Sequence, residues 1–77
     1  MDLKQVLSDI ARAIVDNPDA VTVTETVEDN DVTLVLKVAD DDTGMVIGRK
    51  GRIARAIRNL MKAAGNTEGK RVNVEIE

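Results

Sequence analysis

The sequence predicts an α+β domain in the order α-β-β-α-α-β, with a three-stranded mixed sheet that carries its helices on one face. Three observations point there. Apolar residues recur at helical spacing near the N-terminus. Three segments, 20–28, 31–39 and 70–77, alternate apolar and polar residues. The roughly thirty residues between the second and third of these hold two more helical patterns, broken by a pair of glycines. At 77 residues the chain is one small domain, 1–77, able to bury a core with little margin.

The first helix is expected over 3–15, where Leu3, Val6, Leu7, Ile10 and Ile14 fall on one stripe. Asp2 can cap its start, with Gln5 placed three residues on as in a capping box. Asn17 precedes Pro18 and is pushed out of the helical region, which ends the helix. In "AVTVTETVE", Val21, Val23 and Val27 share one face and Thr22, Thr24 and Thr26 the other. "DVTLVLKVA" alternates likewise through Val32, Leu34, Leu36 and Val38. The intervening "EDND" has turn chemistry, so the two strands form an antiparallel hairpin.

A short helix is expected over Thr43–Ile47 and a longer one over Arg52–Ala64, stopped by Gly65-Asn66. Ala54, Ile57, Met61 and Ala64 share a face of the longer helix, flanked by Ile53 and Leu60. Arg52, Arg55, Arg58 or Asn59, and Lys62 occupy much of the rest. "KRVNVEIE" supplies the third strand through Val72, Val74 and Ile76. A strand that returns through two helices lies parallel to its neighbour by a right-handed crossover. The far face of the sheet, with the threonines, Lys37, Val35, Asn73 and Glu75, meets water.

Composition narrows the chemistry. With no Cys and no His, disulfides, thiolate zinc sites and nucleophile–histidine schemes are excluded. With no Phe, Tyr or Trp, bases cannot be stacked on aromatic rings. No apolar run approaches the roughly 18 residues of a membrane span, and "MDLKQVLSDIARAIV" does not read as a signal peptide, so the expected location is the cytoplasm. The charge is polarised. Residues 1–42 hold 3 cations and 11 acids, a net of −8, whereas residues 43–77 hold 8 cations and 3 acids, a net of +5. An anionic partner for the second half accounts for this better than a merely solvated helix face once the glycines are considered.

Those glycines bracket "GRKG". A corner this tight between two helices calls for positive φ, which glycine tolerates, and missing side chains let a ligand reach the backbone. Free N–H groups and the dipole at the start of the second helix add positive potential, and Arg49 and Lys50 add two mobile cations. A purely structural turn needs a glycine but has no reason to place two cations between two of them. The spacing is neither that of a P-loop nor that of a dinucleotide fingerprint. Val46 and Ile47 before the turn and Ile53 after it are placed to line an apolar groove between the turn and the sheet edge, where bases could lie. All three also suit a plain core.

"VIGRKGR" between two helices, in this element order, resembles a KH domain, whose GXXG loop clamps four nucleotides, in its type II arrangement. "VDNPDAVTV", "DTGMVIGRKGRIARAIRNLMKAA" and "KRVNVEI" together resemble the small bacterial stand-alone KH proteins of the KhpA (YlqC) family, over nearly the whole chain. The resemblance implies a phosphate-contacting loop at Gly48, Arg49, Lys50 and Gly51, with Ile47 as the apolar residue before it. One position departs from the general KH pattern. Three residues after the second glycine stands Ala54 rather than a large aliphatic, and Ile53 comes one place early. The resemblance also implies a Jag-type (KhpB) KH partner or self-association as a dimer, RNA chaperoning, and a role in cell shape through elongation or division.

The expected function is therefore single-stranded RNA binding through Ile47, Gly48, Arg49, Lys50, Gly51, Arg52, Ile53 and Arg55, over a stretch of about four nucleotides, without metal or cofactor. The alternative is a KH-fold adaptor acting mainly through a protein partner. Catalysis would have to rest on Asp40-Asp41-Asp42 holding a metal ion. A turn plus a cap before Thr43 is the simpler account of that run.

Overall fold

The computed structural model describes all 77 residues. Its elements are α1 (Leu3–Ile14), β1 (Thr22–Glu28), β2 (Asp31–Lys37), α2 (Thr43–Ile47), α3 (Arg52–Asn66) and β3 (Arg71–Ile76), with single 3₁₀ turns at Pro18–Ala20, Asp40–Asp42 and Arg49–Gly51. The sheet order is β1-β2-β3, so β2 is central. It pairs antiparallel with β1, with Val23 opposite Leu36, and parallel with β3, with Val32 opposite Val72 and Leu34 opposite Val74. This is the α+β, type II KH arrangement that the element order predicts.

The helix boundaries follow local chemistry. The Asp2 carboxylate accepts the Gln5 N–H at 3.1 Å. The Gln5 side chain does not complete the capping box. Its Nε2 donates to Asp9 Oδ1 at 2.8 Å, the favourable i,i+4 position on an exposed helix face. α1 ends at Ile14, one residue before expected, because Val15 is already extended and buried. In the hairpin, Glu28 faces Asp31 and the loop is Asp29-Asn30, with Asp29 at φ 54°, a region that Asp tolerates better than most residues.

The core is one aliphatic layer between helices and sheet. Leu3, Leu7 and Ala11 of α1, Val46 of α2, and Ile57 and Met61 of α3 pack on Val23, Val32, Leu34, Leu36, Val72 and Val74. The far face leaves Thr22, Thr24, Thr26, Lys37, Asn73 and Glu75 exposed, with Val35 half-buried. Val27 departs from its pattern. It lies on the core face by parity yet is 54% exposed, because α1 covers only the start of this edge strand.

Gly65 departs as well. It does not stop α3 but lies inside it, and the helix runs on to Asn66. A Cβ at Gly65 would collide with the Val72 side chain and lie 3.0 Å from the Lys70 carbonyl oxygen. The glycine is there for close approach of helix and strand. The chain then turns back, with the Glu68 and Lys70 N–H groups donating to the Gly65 carbonyl at 2.9 and 3.0 Å and Gly69 at φ 69°.

Candidate nucleic-acid interface

The corner between α2 and α3 is built from Gly48 outward. Gly48 takes φ 75° and ψ 174°, a region essentially restricted to glycine. Its missing side chain also makes room. A Cβ there would clash with the Ile53 side chain, meeting Ile53 Cβ at 2.8 Å and the Ile53 backbone N at 3.0 Å. Gly51 is left-handed at φ 72° and ψ 17°, but a Cβ there would meet nothing within 4 Å. Between them Lys50 is also left-handed, at φ 58° and ψ 24°. The glycines alone had suggested positive φ. That a lysine shares it is decided by the tight 3₁₀ turn.

This turn leaves donors free. The Gly48 N–H donates to the Gly44 carbonyl at 2.9 Å, Gly51 to Gly48 at 3.1 Å, and Arg52 to Arg49. The N–H groups of Arg49 and Lys50 have no acceptor within the protein. They lie beside the N-terminal end of α3, where the helix dipole contributes partial positive charge. The side chains of Arg49, Lys50, Arg52 and Arg55 are all exposed around them, and none is engaged in an ion pair.

The apolar residues divide. Val46 is fully buried and belongs to the core, whereas Ile47 and Ile53 are each 39% exposed at the corner, as is Met45. Successive helical residues are rotated by about 100°. Ala54 therefore points inward at 4% exposure while Ile53 stays on the surface above Gly48. The departure from the KH pattern thus moves aliphatic bulk from the helix underside to the corner. Neither of the two concave regions of the surface lies here. One sits between α1 and the start of β1, the other between α3 and β3. Ile47 and Ile53 form an open patch rather than the wall of a cavity.

Along α3 the structure separates two candidates that share a helical neighbourhood. Arg58 Nε turns to the Val74 carbonyl at 3.3 Å on the outer strand. Arg52, Arg55, Asn59, Lys62 and Asn66, exposed and three or four residues apart, continue as one polar stripe from the loop. On the opposite flank Ile53, Ala56, Leu60 and Ala63 recur at the same spacing and are also exposed, Leu60 to 55%.

The aspartate run forms the expected turn, but Asp42 does not cap α2. It is 1% exposed, and its Oδ2 accepts both the main-chain N–H (2.9 Å) and the Nδ2 (3.1 Å) of Asn17. It thereby fastens the end of the α1 segment to the entry of α2. Its exposed neighbours Asp40 and Asp41 are not joined by a third acid or imidazole in a metal-binding group. No helix is long and apolar enough to cross a membrane.

An α-β-β-α-α-β fold with a glycine-bracketed, doubly cationic corner between its last two helices defines a KH domain. The family model described as KhpA/KhpB, KH domain matches residues 4–76, and the chain belongs to that family. It is 53% identical to the RNA-binding protein KhpA of Clostridium acetobutylicum, with 96% of this chain and 99% of that one aligned. It is 54% identical to its counterpart in Caldanaerobacter subterraneus subsp. tengcongensis, over 94% and 96% of the two chains. The corresponding protein of Aquifex aeolicus is 45% identical over 96% and 94%.

Among solved structures, the chain resembles Era from Aquifex aeolicus, at a TM-score of 0.64 and 15% identity, over 96% of this chain and 29% of Era. A structure of Era with MgGDPNP and nucleotides 1506–1542 of 16S ribosomal RNA gives a TM-score of 0.58 at 16% identity, over 96% and 28%. The chain spans less than a third of Era, and at that identity the likeness concerns the fold alone.

Proposed function

We propose that this protein binds single-stranded RNA, holding about four nucleotides on the Gly48–Gly51 loop. One observation carries the reading: the unpaired N–H groups of Arg49 and Lys50, set beside a helix N-terminus between two exposed cations. A phosphate oxygen satisfies those donors, and glycine at 48 and 51 puts no side chain in its way. Arg52 and Arg55 extend the cationic surface along α3, and Ile47 and Ile53 offer apolar contact to a base. The relatives' description as RNA-binding proteins supports the same reading. A site without aromatic residues gives modest affinity and backbone-directed recognition. The cytoplasm as site of action, RNA chaperoning, and a role in cell elongation or division are proposed on family membership.

Arg49→Asp/Lys50→Asp tests the loop. RNA binding should collapse while the thermal melt stays within a few degrees of the parent, since both side chains are exposed and unpaired. Undiminished RNA binding by the folded variant would remove the loop from the mechanism.

A second reading, an adaptor acting through a protein partner, is favoured by the exposed flank of Ile53, Ala56, Leu60 and Ala63. That flank suits a second copy or a Jag-type (KhpB) KH partner. Leu60→Glu is expected to abolish association in sedimentation while leaving RNA binding by the loop intact. An unchanged association state would place any partner surface elsewhere.

A further inference from the structure

We propose that the outer edge of β1 docks an extended segment of a protein partner, which adds to the sheet as a further strand and seats an acidic side chain in the cleft between α1 and β1. The hydrogen bonds of the sheet determine which groups are on offer. The Arg71 N–H donates to the Asn30 carbonyl and the Glu77 N–H to the Leu36 carbonyl, so the even-numbered residues of β2 face β3. Its odd-numbered residues therefore face β1, where they meet Thr22, Thr24, Thr26 and Glu28. The main-chain N–H and C=O groups of Val23, Glu25 and Val27 point out of the sheet and have no backbone partner. The opposite edge is partly closed, because Arg58 Nε already donates to the Val74 carbonyl. An open strand edge is a template for pairing with another chain.

Beside this edge lies a cleft of about 370 Å³ whose α1 wall carries Lys4, Ser8 and Arg12. Lys4 and Arg12 stand one helical turn either side of Ser8. Ser8 is 8% exposed and its side chain makes no hydrogen bond within the protein. No enclosed side-chain oxygen or nitrogen lacks a partner, so the Ser8 hydroxyl opens onto the cleft that it lines. Lys4 is in no ion pair, and Arg12 reaches Asp9 only at 4.0 Å. Two of the three cations among residues 1–42 thus flank an unpartnered hydroxyl, next to the open main chain of Val23. The one carboxylate in the wall, Asp2, is held by the Gln5 N–H at the start of α1. A carboxylate arriving on an added strand accepts from the Ser8 hydroxyl between the two cations.

The register fixes what the added strand carries. Val23, Glu25 and Val27 are paired with the buried Leu36, Leu34 and Val32, so their side chains lie on the helix side of the sheet. Their neighbours on an added strand fall on that same side. The neighbour of Val23 points toward Ser8 and is acidic. The neighbour of Glu25 is basic, because like charges directly opposite are destabilising. The neighbour of Val27 is apolar and covers a side chain that is 54% exposed. A nucleic acid fits this edge poorly. Its backbone offers no alternating N–H and C=O groups, and residues 1–42, with 3 cations and 11 acids, repel a chain that is anionic throughout. The cleft takes no residue from the Gly48–Gly51 loop or from α3, so the site is independent of the proposed RNA surface.

The test follows amide exchange by NMR on the full chain with two probe peptides as long as β1, seven residues. Thr-Val-Thr-Lys-Thr-Glu-Thr carries the pattern for an antiparallel strand, and Thr-Glu-Thr-Lys-Thr-Val-Thr for a parallel one. Without peptide, the amide protons of Val23, Glu25 and Val27 should exchange much faster than those of Thr24 and Thr26. At millimolar concentration one of the two peptides should slow all three, by about tenfold at saturation. Replacing its Glu by Gln should weaken binding about tenfold, as should Lys4→Gln/Arg12→Gln in the protein, and Ser8→Ala a few-fold. Combining the peptide change with the protein double variant should cost little more than either alone, because both remove the same contact. Failure of both peptides to protect the three amides overturns the proposal. So does protection that the Glu-to-Gln peptide retains in full, an outcome that needs no protein variant to fold. Protection of the same amides by a single-stranded RNA of about 12 nucleotides would give the edge to nucleic acid and overturn the peptide assignment.

Discussion

The Asp42 carboxylate accepts two hydrogen bonds from Asn17, a residue 25 positions earlier, and is almost wholly enclosed. The pair joins the turn after α1 to the turn before α2, and so sets where the short helix leading into the Gly48–Gly51 loop begins. Removing the acceptor strands two donors of Asn17. Asp42→Ala should cost about 3 kcal/mol, and Asp42→Asn, which keeps the shape and one acceptor, about 1–2 kcal/mol. Urea unfolding measures both. A loss below about 0.5 kcal/mol for Asp42→Ala would mean that the contact does not organise this end of the molecule.

The two loop glycines should respond unequally. Gly48→Ala combines a backbone conformation foreign to L-residues with a clash against Ile53, and is expected to lose about 3 kcal/mol. Gly51→Ala meets open space and pays only for the left-handed conformation, about 1 kcal/mol. Adding Ile53→Ala to Gly48→Ala should recover part of the first loss, which appears as non-additivity in a double-mutant cycle. Equal destabilisation at the two glycines would contradict the packing of Ile53 over Gly48.

Lys50 sits in the left-handed region without the conformational freedom of glycine. Lys50→Gly removes that strain, about 1 kcal/mol, against a smaller entropic cost for the new glycine. A net gain of about 0.5 kcal/mol, or roughly 3 °C in melting temperature, is expected. RNA binding should weaken in the same variant because one of the two loop cations is gone. A fall in melting temperature would show that the lysine side chain stabilises the turn.

Gly65 offers a test of sign. In an unobstructed helix Gly→Ala stabilises by about 1 kcal/mol. Here the new methyl meets Val72 and the Lys70 carbonyl, so Gly65→Ala should destabilise by about 1–2 kcal/mol. In a Val72→Ala background the same change should cost much less, because the tighter of the two contacts is relieved. Stabilisation by Gly65→Ala in the intact chain would argue that α3 and β3 stand further apart than described.

The order of elements, the hairpin, the alternation of the three strands and the corner between α2 and α3 were legible in the sequence. Each is written in a local period or in turn chemistry that neighbouring residues impose. Even the departure at Ala54 could be located, since it is a shift of one residue in a known spacing. What α3 presents on each flank was legible only in part. Its basic residues were evident, but nothing local separates Arg58, which turns to Val74, from Asn59, which continues the exposed stripe.

The sequence by itself determined the helix and strand periods and most of the turns, because these are properties of short segments. Tertiary structure decided the rest. Asp42 turns inward only because Asn17 arrives beside it. Gly65 matters only because Val72 passes underneath. Val27 is left exposed only because α1 stops short of it. The cleft beside Ser8 likewise exists only where α1 and β1 meet. These features depend on residues that contact one another in space after the chain has closed, and no period along a single segment encodes which ones will meet.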